Sequence, residues 1–395
     1  MTKLIYIILI LPVFILIGCS SNPDANVQQS PDTEGPGENI TETPHLPEPT
    51  PEPTPRPTPV IPSPTPAPIL TPEPTPEPGP SFGFIDAHAD TISRALMLDP
   101  GQQGLFRNNA LHIDFLRLSE FDAPVQIFVA WCADRYITTA FEYTNLLFDF
   151  FEEEVKKHND LIEIALDLDD IRRIAGEGKI SAILAIEGGE ALMGDIENLD
   201  HFYERGVRVL GLTWNRENAL GFGQATGSIY GLKPFGKEVV KRMDELGMIV
   251  DVSHLNFAGF WDVHNISTRP FIASHSNVFD IMPHARNLMD SQIIAIVESG
   301  GIIGFNMYPP FISPGERATT EEIMTHFRHF IRIGAGNHIG LGCDFDGISI
   351  TPLDIDDVSS LKTFKEALEE EFDKQTAYNI MEGNFYEFFK RYFEG

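Results

Sequence analysis

His88 and Asp90 stand two positions apart, the spacing at which two side chains leave a β-strand on the same side. Glu187, His254 and His275 add a second carboxylate and two more imidazoles. Nitrogen and oxygen donors of this kind suit zinc or a similar divalent ion. One ion would take about three of them plus water. Five candidates, one a carboxylate able to bridge, predict two ions sharing Glu187, with a hydroxide held between them at neutral pH and poised for attack. A lone histidine at a strand end is usually a packing or capping residue. Three histidines and two carboxylates gathered at strand ends are harder to explain that way, because clustered polar groups need partners. The remaining nine of the 12 histidines (His45, His112, His158, His201, His264, His284, His326, His329 and His338) fall in the tail, helices, loops or strand starts and receive no catalytic role.

Such residues need elements to bring them together. From residue 82 onward, short apolar runs alternate with helical stretches. The runs at 82–88, 124–131, 180–187, 207–213, 248–254, 270–275, 301–306 and 338–344 read as strands of a parallel sheet covered on both faces. Amphipathic stretches at 143–157, 233–246, 319–333 and 358–372 read as helices between them. Eight strand–helix units predict an α/β fold, a (β/α)8 TIM barrel. A doubly wound open sheet would normally carry a glycine-rich phosphate turn after its first strand, and none is present. In a barrel the C-terminal strand ends converge on one mouth. There stand His88-Ala89-Asp90, Glu187, Asp251-Val252-Ser253-His254, Ser274-His275-Ser276, Asn306 and Asp344-Phe345-Asp346-Gly347.

The 395-residue chain carries 28 Lys+Arg against 58 Asp+Glu, a net charge of −30. With no basic stripe to neutralise phosphates, nucleic acid is excluded as a partner. Of the 30 prolines, 21 lie in residues 1–82, so this front cannot form a packed core. Residues 1–19 read as a lipoprotein signal: Lys3 precedes the apolar run 4–17, which ends in Leu16-Ile17-Gly18-Cys19, a bacterial lipobox pattern with Cys19 as the lipidated residue. Acyl chains there predict a protein anchored by lipid to the extracytoplasmic face of the cell membrane. Residues 20–81, rich in Thr-Pro-Glu-Pro repeats, read as an extended disordered linker, and 82–395 as the catalytic domain. Cys132 and Cys343 read as buried free thiols.

The motifs resemble those of the membrane dipeptidase (renal dipeptidase) family, peptidase family M19. The matching pieces are Ile85-Asp86-Ala87-His88-Ala89-Asp90-Thr91, Ala185-Ile186-Glu187-Gly188-Gly189, Asp251-Val252-Ser253-His254, Ala273-Ser274-His275-Ser276-Asn277, His284-Ala285-Arg286-Asn287 and Gly342-Cys343-Asp344-Phe345-Asp346-Gly347. They occur in the expected order across residues 82–390, and the resemblance implies a metal-dependent, amidohydrolase-like TIM barrel. The resemblance implies hydrolysis of dipeptides with two Zn2+, one held by His88, Asp90 and Glu187, the other by Glu187, His254 and His275. It implies that Arg286 binds the substrate carboxylate, that Asp344 handles a proton at the nucleophile or leaving amine, and that Tyr308 contacts substrate. It also implies a substrate-facing position for Trp214, where many members carry a histidine in Leu-Thr-His. Trp214 offers one indole N–H in place of an imidazolium, with Asn215 and Asn218 as nearby polar substitutes. Asp346 reads as structural. The partners implied are dipeptides and, through the anchor, a membrane; a homodimer is compatible with the sequence.

Two other readings compete. Hydrolases of cyclic amides or esters on the same scaffold commonly begin with His-x-His and use a carbamylated lysine after strand four, and neither is present. A non-catalytic peptide-binding lipoprotein would suit the lipobox and linker, but it would use two lobes and have no need of five ligands.

Overall fold

The computed structural model describes residues 81–394. The signal, Cys19 and nearly all of the linker lie outside them. Eight parallel strands form one curled sheet: β1 (Ile85–Ala89), β2 (Val125–Trp131), β3 (Ile162–Ile164), β4 (Ile180–Glu187), β5 (Val207–Gly211), β6 (Ile249–Asp251), β7 (Ile303–Phe305) and β8 (Ile339–Leu341). The pairing order is β6-β5-β4-β2-β1-β8-β7, and β3 lies off that path, pairing with the first half of β4. The gap between β6 and β7 is closed by residues 271–274. Ile272 N–H donates to Val250 (2.9 Å) and its carbonyl accepts from Val252 (2.9 Å). Ala273 N–H donates to Ile302 (3.1 Å) and its carbonyl accepts from Gly304 (2.8 Å). Seven strands of the path and this segment make the eight staves of a TIM barrel.

All eight runs read as strands take part, with one difference. The sixth forms only isolated bridges, because Pro270 has no N–H and the turn beyond it bonds to side chains instead of a neighbouring ladder. Ser274 N–H donates to Asp251 Oδ1 (2.9 Å) and His275 N–H to Ser253 Oγ (3.1 Å). The addition is β3, three residues too short to stand out as a run.

Alternation along the strands divides the core in two. Ile85, Val125, Ile127, Val129, Ile183, Ala185, Val209, Ile249, Ile272 and Ile302 pack as one cluster inside the barrel. Phe128, Ala130, Leu184 and Ile186 face the other way, toward the surrounding helices. The inward set continues to Trp131 on β2 and Glu187 on β4, which are paired in register at the mouth. At the opposite end, Phe385, Phe388, Phe389 and Tyr392 of the helix Asn384–Glu394 join the inner cluster together with Phe82.

The expected helices appear as Ala140–Lys157, Pro234–Leu246, Thr320–Arg332 and Leu361–Glu371. Thr319 and Glu322 cap the third reciprocally. Gly247 stops the second at φ +74°, where a side chain would be strained. Cys132 and Cys343 are buried and unpaired, as expected. Among the described residues, no helix is long and apolar enough to cross a membrane.

Candidate metal centre

The five expected ligands converge at the mouth. His88 is the last but one residue of β1 and Asp90 follows that strand, Glu187 ends β4, and His254 and His275 follow β6 and the sixth stave. Glu187 Oε1 lies 3.0 Å from His254 Nε2, 3.5 Å from His275 Nε2 and 3.7 Å from His88 Nε2. His88 Nε2 is 3.4 Å from Asp90 Oδ2, and the Nε2 atoms of His254 and His275 are 3.0 Å apart. Each ring is held from its other nitrogen. Nδ1 of His275 and of His88 meets Ser274 Oγ at 2.8 and 3.2 Å, and Nδ1 of His254 meets Asn215 Oδ1 at 3.0 Å. This is how ligand imidazoles are usually fixed.

The interior of the cluster is short of donors. His88 Nε2 and Glu187 Oε1 are buried without a hydrogen-bond partner, and the groups aimed at them are other acceptors or further imidazole nitrogens. A divalent cation fits that donor set, and His88, Asp90, Glu187, His254 and His275 are the residues that would hold it. Asp344 also comes within ligand range of His88 and Asp90.

A cavity of ≈ 340 Å³ opens above this floor. Trp131 and Trp214 line one side, packed edge to face at 4.9 Å, and Tyr308 and Phe311 line another at 5.0 Å. Arg286 reaches in with Nη2 2.9 Å from His275 Nε2, while its Nη1 donates to the Ser253 carbonyl. Asn306 Nδ2 donates to Asp344 Oδ2 at 2.9 Å. Asp344 and Asp346 adopt left-handed backbone (φ +61° and +68°), and a side chain at Gly347 would collide with the Asp90 and Asp344 carboxylates.

Residues 81–392 match the profile of the membrane dipeptidase family, peptidase family M19. The chain belongs to this family. An uncharacterised dipeptidase of Schizosaccharomyces pombe is 32% identical over 267 residues, 63% of this chain and 64% of its own length. A dipeptidase of Claviceps purpurea is 33% identical over 216 residues, 53% of this chain and 50% of its own. The chain therefore matches between half and two thirds of these two relatives. Among solved structures, the family M19 metallopeptidase dipeptidase AC superposes with a TM-score of 0.74 at 25% identity, covering 80% of this chain and 100% of that one. A metallopeptidase of Rhodobacter sphaeroides bound to a phosphinate mimic of L-Ala-D-Ala shares the fold, with a TM-score of 0.73 at 24% identity over 79% of this chain and 99% of that one.

Within this M19 chain, electrostatics describe a site crowded with carboxylates in a low dielectric. Burial, then Asp90 and Asp344, raise Glu187 well above the carboxylate range against the opposing pull of His88. Burial and Asp90 push Asp344 up to about 7. Burial alone would lower His88, but Asp90, Glu187 and Asp344 outweigh it and hold its imidazole up at about 10. Burial, with the charges of Arg286 and His88, keeps His254 and His275 well below the ordinary histidine range and so neutral, the form that ligates. Burial brings Arg286 down to about 10.

Every residue given a ligand or substrate role in the described chain lies in the ligand cluster or on the cavity wall. Asn215 is bonded to His254, whereas Asn218 serves its own loop, accepting from Leu220 and Gly221 N–H. Asp346 is structural, accepting from Thr91 Oγ1 and from His112 N–H, both at 2.6 Å. Two contributors have no separate signal: Trp131 is the last residue of an apolar run, and Arg94 sits on a short helix. Asp251 reads as a strand-end residue, and its role comes from the Ser274 N–H and Oγ that it accepts.

Proposed function

We propose that this chain is a zinc-dependent metallodipeptidase with a two-ion centre. His88, Asp90 and Glu187 would hold one ion, and Glu187, His254 and His275 the other. The observation that carries the reading is the convergence of three Nε2 atoms on one buried Glu187 oxygen at the floor of the cavity. Divalent ions there would supply Lewis acidity, activating water and polarising a carbonyl.

The chain's own groups divide the remaining work. The buried Arg286 guanidinium, a planar donor fork, pairs with the free carboxylate of a dipeptide. Asn306 fixes the Asp344 carboxyl at the cavity wall, where it can take a proton from the nucleophile and return it to the leaving amine. Tyr308 and Trp214 flank the substrate, and Trp214 contributes an apolar face with a single N–H. Substrates with a D-configured C-terminal residue fall within this reading, since the Rhodobacter relative binds a mimic of one. The lipobox at Cys19 and the linker 20–81 support lipid anchoring at the extracytoplasmic face.

Hydrolysis of L-Ala-L-Ala and L-Ala-D-Ala by the membrane fraction, with and without a chelator, tests the chemistry. Chelation should abolish turnover, and metal analysis should find roughly two zincs per chain. Turnover unaffected by chelation, or none in zinc-loaded protein, would overturn the reading. Cys19→Ser should move the activity to the soluble fraction, and its staying with the membrane would exclude the anchor.

A further inference from the structure

Behind the ligand imidazoles lies a buried chain of groups whose protons can be counted. Asp251 Oδ1 accepts from Ser253 N–H (3.0 Å), Ser274 N–H (2.9 Å) and Ser253 Oγ (2.6 Å). Asp251 Oδ2 accepts from Ser274 Oγ at 2.5 Å. A hydroxyl has one proton, and this contact takes the one on Ser274. Toward His275 Nδ1 and His88 Nδ1, Ser274 Oγ is therefore an acceptor only. A neutral ring at either place, the form that ligates, must carry its proton on Nδ1, which leaves its Nε2 lone pair facing Glu187.

We infer that Asp251 and Ser274 act together as a tautomer lock, positioning residues that hold His88 and His275 in the one protonation pattern able to ligate through Nε2. The inference rests on the proposal that those Nε2 atoms hold metal. One hydroxyl serves two rings assigned to different ions, so a change at Ser274 reaches both. Asp251, Ser274, His88 and His275 are all buried, so solvent does not supply a substitute donor or acceptor.

The lock predicts an unusual order among variants. In Asp251→Asn the amide nitrogen cannot take the Oδ1 position, where two backbone N–H groups already point. It must face Ser274 Oγ and donate to it. The hydroxyl then turns its own proton to the nearer of the acceptors left, His275 Nδ1 at 2.8 Å rather than Ser253 Oγ at 3.2 Å, and that ring is driven to Nε2–H, the non-ligating form. Ser274→Ala merely removes the acceptor.

Zn2+ affinity, measured by competition with a chromophoric chelator, tests this, with melting temperatures to verify folding. Ser274→Ala should weaken binding about 10–100-fold, as loss of an outer partner of a ligand does. Asp251→Asn, although isosteric, should weaken it at least as much. The double variant should match Ser274→Ala alone, because no hydroxyl remains to be turned. An Asp251→Asn protein that binds as tightly as wild type, or losses that simply add in the double variant, would overturn the lock. If Asp251→Asn does not fold, ring 15N shifts of metal-free wild type decide: His275 as the Nδ1–H tautomer supports the lock, and Nε2–H overturns it. Wild type that binds no Zn2+ would count against the metal proposal, while the tautomer of His275 still reads the lock.

Discussion

Where the strands begin, Phe82, Phe385, Phe388, Phe389 and Tyr392 close the barrel with packed rings. Where they finish, Glu187, His254 and His275 face one another across 3.0–3.5 Å with too few protons between them. The same alternation of side chains supplies both ends. Val125, Ile127 and Val129 lead to Trp131, and Ile183 and Ala185 lead to Glu187. At the floor, each added ring removes apolar surface from water and stabilises the fold. At the mouth, buried polar atoms without partners cost stability unless something binds them. Such separation, with packing at one end and chemistry at the other, is what a barrel permits.

The contrast breaks if either end behaves like the other, and the largest expected effect lies at the mouth. Glu187→Gln should cut kcat/KM for dipeptides by about 10³-fold or more, the several kcal/mol that a well-held metal contributes. Yet the metal-free protein should melt no lower than wild type, because the substitution removes a carboxylate that burial and its neighbours disfavour. At the floor, Phe388→Ala should cost about 3–5 kcal/mol of stability by opening a cavity in the inner cluster. Its kcat below the melting transition should stay within about twofold, since Phe388 touches no group of the mouth. Denaturant unfolding and steady-state kinetics on both variants read the two axes. A stability loss in Glu187→Gln, or a tenfold loss of kcat in Phe388→Ala, would show that the two ends are coupled.

The floor and most of the mouth were legible in the sequence for different reasons. Strands buried on both faces are written as continuous apolar runs, so the runs 124–131 and 180–187 mark β2 and β4 to within a residue. The ligands were legible because each interrupts such a run at its end. What the sequence leaves unmarked depends on contacts between distant segments. The short Ile162–Ile164 strand exists because the first half of β4 offers it an edge. The sixth stave reads as an ordinary strand, but its end bonds to Asp251 and Ser253 instead of continuing a ladder. Asp251 itself reads as one more strand-end carboxylate until Ser274 is placed beside it. Trp131 reads as core because nothing local marks the last apolar residue of a strand as the wall of a cavity.

His326 sharpens the comparison with a smaller effect, since it is a buried histidine near the mouth with nothing left unpaired. Its Nδ1 accepts from Val278 N–H at 3.2 Å and its Nε2–H donates to the Ile312 carbonyl at 2.9 Å, both on segments that follow the sixth stave and β7. Burial, against the Ile312 bond and with help from His329, pushes its imidazole down to about 4. The unfolded chain, with an ordinary histidine near 6.5, then binds a proton that the folded one refuses between about pH 6.5 and 4. Stability from this group is complete above that window and is lost as pH falls through it, by about 3 kcal/mol at most. Protonation would also set a second N–H against that of Val278. His326→Gln should therefore be less stable than wild type at pH 7, with the difference shrinking as pH drops to 4. Urea unfolding at several pH values gives that difference directly. A gap that stays constant with pH would mean that the ring is charged in the fold, and that satisfied and unsatisfied histidines in this molecule do not differ as their partners require.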